Sequence, residues 1–301
     1  MAVQIDPALT SVIMVSCYTG PTLERAVAAV LAQTESVELI VVNNGNPPEV
    51  EAALAAKARE EPRLRLVTGQ GNVGLGKGCN MGARVARGSF LLFLRPDSLL
   101  PPDAVALMRK QAAQCKSPFM LGARLMGDRD KDLREARRPL LTPLIAFVEL
   151  LGLAAFFPKL CLNLHKESLP PTAAPTPAIS GAFMFLAARD FWRLKGFDSY
   201  YFTSIADMDF CLRFRRAEGE IYFVPGVVVK RAGMLRHPDS DFQVKKRAQG
   251  TVHYFHENFG HAYPQPVLWL LDALIWMRPG LRLALIEIGK RLSHRRKKTV
   301  V

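Results

Sequence analysis

The first hundred residues alternate between two periods of hydrophobicity, and this alternation restricts the fold more than any other feature of the chain. Ser11–Ser16 (SVIMVS), Glu38–Val42 (ELIVV), Arg63–Val67 (RLRLV) and Ser89–Leu94 (SFLLFL) are short runs rich in β-branched and other apolar residues. Between them lie stretches with helical spacing: Thr22 to Gln33, with Leu23, Ala26, Val27, Val30 and Leu31, then Pro48 to Arg59 and Lys77 to Arg87. Strands that are apolar almost throughout, separated by helices, predict a parallel sheet covered on both faces. The predicted class is α/β, with a mainly parallel central sheet flanked by helices. Such sheets bind ligands beyond the carboxyl ends of their strands. The segments to inspect are therefore Cys17–Gly20, Asn43–Asn46, Thr68–Gly74 and Arg95–Ser98.

The second half is less regular. Pro102 to Cys115 reads as a helix, Ala123–Arg138 as a charged, loop-like stretch, and Pro170–Pro177 (PPTAAPTP) as a loop or hinge. Ile179–Ala187 reads as a strand, Ala188–Leu194 as a short helix, Ala206–Glu218 as an amphipathic helix and Ile221–Lys230 as a strand. Leu140–Leu160 is strongly apolar but interrupted by Pro143, Glu149 and Gly152; it fits a buried helix pair or a membrane-docking segment. Near the end, Val267–Met277 (VLWLLDALIWM) precedes the basic run Lys290–Lys298. Apolar rings followed by a basic end suit a helix lying in a membrane surface, and equally a packed terminal helix with a solvated tail. The expected division is residues 1–262 and a C-terminal segment, 263–301.

Charge enters here. Lys and Arg number 40 against 27 Asp and Glu, a formal net charge of +13, which favours an anionic partner such as nucleic acid, lipid headgroups or a phosphorylated substrate. Nucleic acid is disfavoured, because the basic excess sits at Arg134–Arg138, Lys245–Arg247 and the tail, beside apolar stretches rather than stacking aromatics. Five scattered cysteines without a CxxC pair suggest free thiols in a reducing cytoplasm, not a zinc or disulfide scaffold. The start lacks the pattern of a signal peptide, and no charge-free run of about 20 residues is present to span a membrane.

Asp97, in Arg95-Pro96-Asp97-Ser98 directly after an apolar strand, is placed where a carboxylate could hold a divalent cation against a diphosphate; Pro-Asp-Ser is also an ordinary turn. The wider order of features resembles the rhamnosyltransferase-type branch of family 2 glycosyltransferases, which have the GT-A type fold. SVIMVSCYTG is similar to that family's first strand and turn, and VVNNGN to its Val-Val-Asp-Asn segment. GNVGLGKGCNMGARVARGSFLLFLRPDS follows its Asn-x-Gly to Asn-Pro-Asp block. SGAFMFLAARDFWRLKGFDSYYFTSIADMDFCLRFRRAEGEIYFVPG follows its Ser-Gly-Ala-Phe to Val-Pro block. The resemblance runs from about Ser11 to Gly260.

That resemblance implies an inverting transfer of a hexose or deoxyhexose, with dTDP-rhamnose the favoured donor, to a saccharide or lipid-linked acceptor at the cytoplasmic membrane face. Asn43 and Asn44 would border the nucleobase, with Tyr18 nearby. Asn72, Gly74 and Asn80 would line the nucleotide crevice. Asp97 would hold Mg²⁺ or Mn²⁺, and Ser180 and Gly181 would shape the donor-sugar pocket. Asp207 would be the general base; as a bare local feature it is equally a carboxylate at a helix start.

Three departures stand out. The family's Asp is Asn43, its Glu before the base is Ala206, and the His expected after the Val-Pro strand is replaced at Lys230-Arg231. Neither cation is a normal metal ligand. The metal would then be weak or dispensable, with Lys230, Arg231 and Arg95 offsetting the diphosphate. The alternative is an inactive homologue acting as a membrane-associated binding or assembly subunit. Gly69-x-Gly71-x-x-Gly74 follows the third strand and is a lone match to a dinucleotide fingerprint. His253 and His256 share a predicted helix without a local carboxylate pattern to complete a metal site, and Met108, Met120 and Met126 read as packing residues.

Overall fold

The computed structural model describes residues 5–127, 131–153, 156, 168–202, 205–233 and 240–277. In chain order the elements are β1 (Asp6–Ser16), α1 (Thr22–Leu31), β2 (Val37–Asn43), α2 (Pro48–Glu60), β3 (Leu64–Val67), α3 (Leu75–Val85), β4 (Gly88–Leu94), β5 (Ser98–Leu99) and α4 (Ala104–Ala112). There follow β6 (Phe119–Met126), α5 (Pro143–Leu150), β7 (Ala174–Pro175), β8 (Phe183–Ala187), α6 (Ala188–Arg193), α7 (Ala206–Arg216), β9 (Glu220–Arg231) and α8 (Asp241–Phe259). The chain divides into two compact units, Met1–Leu140 with Leu162–His237, and Leu141–Cys161 with Pro238–Val301.

The first unit is built on one sheet, nine-stranded among the described residues, in the order β3-β2-β1-β4-β8-β6-β9-β5, with β7 paired to β9. β1, β2, β3 and β4 are mutually parallel, β8 runs against both β4 and β6, and β6 and β9 are parallel. The carboxyl ends of β1 to β4, β6 and β9 thus share one edge with the amino end of β8. Every residue of β2 is buried, as expected for a strand covered on both faces. α1 supplies one cover: Leu23, Ala26, Val27 and Val30 recur at helical spacing and are all buried.

α3 packs closely against β1. A Cβ placed at Gly78 would lie 2.9 Å from Val15 Cγ1, and one at Gly82 2.6 Å from Ile13 Cγ2. Glycine inside a helix costs about 1 kcal/mol in propensity, and here it lets the helix axis settle directly on β1.

Two readings of the second half are corrected. Ala123–Met126, read as loop, completes β6 and pairs with β9. Arg124 is tolerated there because its guanidinium is half-exposed and paired with Asp132 at 2.6 Å. The strand expected from Ile179 begins only at Phe183, since Ser180–Ala182 form a turn closed by Phe183 N–H to Ser180 O at 3.2 Å.

In the second unit, Thr142 caps α5 by accepting from Ile145 N–H, and Ser240 with Gln243 forms a reciprocal capping box at the start of α8. Tyr254 O–H donates to Leu141 O at 3.0 Å. His256 Nε2 meets Asp272 Oδ2 at 2.7 Å and joins α8 to the helix over 265–277. That helix buries Leu268, Leu271 and Ile275 and exposes Trp269, Leu270, Trp276 and Met277. No helix among the described residues is long and apolar enough to cross a membrane. The basic run Lys290–Lys298 lies outside the described residues.

The tight α3 contact gives a test of sign. Gly82→Ala is expected to lower stability by about 1–3 kcal/mol through overpacking, although alanine is the better helix former. Urea unfolding of the two proteins measures the difference, and an unchanged or higher midpoint contradicts the close approach.

Candidate functional site

The shared strand edge gathers three clusters. The first lies beyond β1, β2 and β3. Asn46, which the sequence reading did not single out, is its hub: Nδ2 donates to Ser16 O (2.9 Å) and Asn43 Oδ1 (2.8 Å), and Oδ1 accepts Tyr18 N–H (2.8 Å). Asn43 Nδ2 donates to Thr68 Oγ1 at 3.0 Å. Asn44 bridges to the next turn, donating to Asn72 Oδ1 at 2.9 Å and accepting Val73 N–H at 2.9 Å. Tyr18 has φ 50°, a left-handed backbone uncommon for a bulky side chain, and Asn46 holds it there through the Tyr18 N–H. Its side chain is 54% exposed above this cluster. Gly74 has φ 86°, and a Cβ there would lie 2.8 Å from Phe202 Cα, so only glycine fits.

The second cluster surrounds Asp97, which is wholly buried. Arg95 Nε donates to its Oδ1 at 3.2 Å, while Arg231 Nε and Nη2 donate to Oδ2 at 3.2 and 2.6 Å. The pairing of β5 with β9 sets this up, because Ser98 stands opposite Arg231. Arg231 Nη1 also contacts the Glu135 carboxylate. Burial works against the charge on Arg231, but its hydrogen bonds to Asp97 and the charge of Glu135 hold its pKa above the ordinary arginine value.

A divalent cation was expected on Asp97, and the donor set does not fit one. Both carboxylate oxygens accept guanidinium N–H groups, and a bound cation would compete with two fixed positive charges. Among the described residues no three His, Cys, Asp or Glu side chains are grouped to hold a metal.

The third cluster centres on Asp207 in the first turn of α7. Its Oδ2 accepts from Arg138 Nη2 at 2.5 Å and from Gly181 N–H at 2.9 Å, and among the described residues its Oδ1 accepts only Met208 N–H, at 2.8 Å. A Cβ at Gly181 would stand 3.1 Å from Asp207 Cβ, so glycine brings the turn before β8 against the carboxylate. Arg138 is fixed by reciprocal backbone hydrogen bonds with Ala178, both 3.1 Å. Burial opposes its charge, yet the Asp207 carboxylate more than offsets this and raises its pKa above the usual arginine value. Ser180 Oγ accepts Ala182 N–H at 3.2 Å, which closes the same turn. Cys79 and Cys211 offer no nucleophile: burial, with the Asp207 charge adding to it, pushes both thiols up to about 12.

The structure therefore brings Tyr18, Asn43, Asn44, Asn72 and Gly74 into one cluster, Arg95, Asp97 and Arg231 into a second, and Ser180, Gly181 and Asp207 into a third. Asn80 differs. It is buried in α3, donates to Phe197 O at 2.7 Å and accepts Phe197 N–H at 2.9 Å. Its amide holds a turn rather than facing the crevice. Asp209 is likewise committed, to Arg213 Nε at 2.7 Å and Tyr201 O–H at 3.4 Å. Glu135 and Arg138 were missed, because nothing in the spacing of the arginine-rich stretch tells which side chain meets a carboxylate 69 residues later. Asn80→Ala is expected to cost about 1–3 kcal/mol by orphaning the Phe197 backbone groups, read from thermal or urea unfolding; an unchanged midpoint contradicts the clamp.

Comparison with known proteins places this arrangement. The sequence profile described as "Glycosyl transferase family 2" matches residues 11–162. An N-acetylglucosaminyl-diphospho-decaprenol L-rhamnosyltransferase of Mycobacterium tuberculosis is 23% identical over 96% of this chain and 97% of its own. The rhamnosyltransferase WbbL of Escherichia coli is 26% identical over 47% of this chain and 52% of its own. Among solved structures, a mannosyltransferase from Pyrobaculum calidifontis in complex with GDP-Man and Mn²⁺ has a TM-score of 0.57 at 19% identity, covering 95% of this chain and 80% of that one. TarS of S. aureus, residues 1–349, has a TM-score of 0.52 at 13% identity, covering 89% and 70%. These structures share the GT-A fold with it. With the matched segment holding the first cluster and Asp97 of the second, the chain belongs to glycosyl transferase family 2 and is a glycosyltransferase.

Proposed function

We propose that this enzyme moves a hexose or deoxyhexose from a nucleoside diphosphate sugar to a saccharide carried on a membrane lipid, inverting the anomeric configuration. Rhamnose is the favoured sugar, because the relative aligned along nearly the whole chain is named for L-rhamnosyl transfer to a decaprenol-linked acceptor. The observation that carries the mechanism is the uneven use of the Asp207 carboxylate. Oδ2 is doubly occupied by Arg138 and Gly181, and among the described residues Oδ1 accepts only its own helix's Met208 N–H. Oδ1 therefore keeps a lone pair for an acceptor hydroxyl.

The acceptor oxygen forms a bond to the anomeric carbon while Oδ1 takes the hydroxyl proton. The bond from that carbon to the diphosphate oxygen breaks on the opposite side, and the diphosphate leaves with the electron pair. Arg138 holds the carboxylate in one orientation, so that proton acceptance falls to a single oxygen. Tyr18 offers a ring face to the nucleobase beside Asn43, Asn44 and Asn72.

A membrane surface fits the second unit. It carries eight of the 13 large apolar side chains that are exposed among the described residues, including Trp269, Leu270, Trp276 and Met277 along one helix. The sequence adds Lys290–Lys298 after that helix, a pairing of rings and cations that suits the anionic inner face of a cell membrane.

Two measurements test this reading. With dTDP-rhamnose, UDP-glucose and GDP-mannose offered against an N-acetylglucosaminyl-diphospho-polyprenol, one donor is expected to turn over. Asp207→Asn is expected to lower kcat by about 10²–10⁴-fold with nucleotide affinity kept; a variant within tenfold of wild type removes Asp207 as base. In vesicle co-sedimentation, anionic vesicles are expected to bind the protein in a salt-sensitive manner. The double variant Trp269→Ser, Trp276→Ser should weaken that binding by about tenfold. Equal binding by the variant contradicts the docking face.

A further inference from the structure

Asp97 lies where a donor's diphosphate is expected, yet its two oxygens are already bridged by Arg95 and Arg231. A carboxylate holding a divalent ion carries a net charge of +1, and so does a carboxylate holding two guanidinium groups. The two arrangements present the same charge to an arriving phosphate once Glu135 has left Arg231. They differ in how that charge is delivered: a cation binds oxygens through coordination, whereas guanidinium N–H groups donate in a plane that matches phosphate oxygens.

The geometry favours delivery through Arg231. Asp97 engages Nε and Nη2 from one side, which fixes the plane of the guanidinium. Of its five N–H groups, three are used by Asp97 and Glu135, leaving one on each terminal nitrogen. The side chain is 16% exposed, against none for Asp97, so an incoming anion reaches the arginine and not the carboxylate. Glu135, 33% exposed at the rim, occupies Nη1 in the absence of an anion and is the group a phosphate would displace.

We propose that the guanidinium of Arg231, oriented by Asp97 and supported by Arg95, stands in the place of the divalent cation and receives the diphosphate of the donor directly. This rests on the donor reading above and deepens it. Asp97 then serves as a positioning residue for Arg231, and nucleotide binding and transfer proceed without a divalent ion.

Calorimetric titration of dTDP, UDP and GDP, in EDTA and then in manganese, tests the proposal on the unaltered protein. The Kd of the best-bound nucleotide is expected to differ by less than about twofold between the two conditions. Arg231→His removes the charge and leaves an imidazole beside Asp97, a pair of metal ligands. It is expected to weaken binding in EDTA by about tenfold or more, the loss of a charge-assisted hydrogen bond, and to regain affinity with manganese. Arg231→Lys keeps the charge without the fork and is expected to bind more weakly in EDTA and remain indifferent to manganese. Wild-type binding that requires manganese overturns the proposal and leaves the donor reading intact. The proposal also fails if folded Arg231→His binds in EDTA as wild type does. Binding of no nucleotide under either condition overturns both.

Discussion

A carboxylate with no exposure to water cannot stay charged without a partner held in place by the fold, since an uncompensated buried charge costs several kcal/mol. Asp97 is such a group, and satisfying it organises the strand edge that carries the candidate site. Its partner Arg231 comes from a strand 134 residues away, so the Asp97 pair ties the end of the early parallel strands to the end of β9. The two-residue strand β5 exists to make that junction: opposite Arg231 it sets the register, and Ala232 N–H returns to Asp97 O at 2.9 Å. Glu135 then meets Arg231 from the segment after β6, and Arg138, three residues on, reaches Asp207.

Three aspartates of this edge are each met by arginine, and the distribution of hydrogen bonds gives them different chemistry. Asp97 accepts guanidinium N–H groups on both oxygens and is an anchor. Asp209 accepts Arg213 on one oxygen and Tyr201 on the other and holds α7 to its neighbours. Asp207 takes two donors on Oδ2 and one on Oδ1, which leaves a lone pair where an acceptor hydroxyl can arrive. Sequence places Asp207 and Asp209 two residues apart; their partners separate the proposed base from the brace.

Much of this was legible in the chain. β1 to β4 and the helices between them follow from period alone, because strands covered on both faces are apolar throughout and helices with one cover are apolar every third or fourth residue. The placing of a site at Asn43–Asn46 and Arg95–Ser98 followed from the sheet being parallel. The end of β6 was not legible, because Arg124 interrupts the apolar run and its compensation by Asp132 depends on a chain reversal. Arg138 and Glu135 were hidden for the same reason: long-range pairs leave no periodic trace. Asn80 was misjudged in the other direction, as an asparagine among glycines whose amide closes a turn 117 residues away. The exchange of His for Arg231 was visible, while its contact with Asp97 needed the β5–β9 register.

The proposed mechanism is a single displacement at the anomeric carbon, with Oδ1 of Asp207 taking the proton from one side as the diphosphate departs from the other. The most direct measurement is the anomeric configuration of the first-formed product, read by NMR from the one-bond carbon–hydrogen coupling at that carbon and compared with the donor. A single displacement predicts the opposite configuration. Retention of the donor's configuration would contradict it, because retention requires either a second displacement or attack from the leaving-group face, and one carboxylate acting as base provides neither.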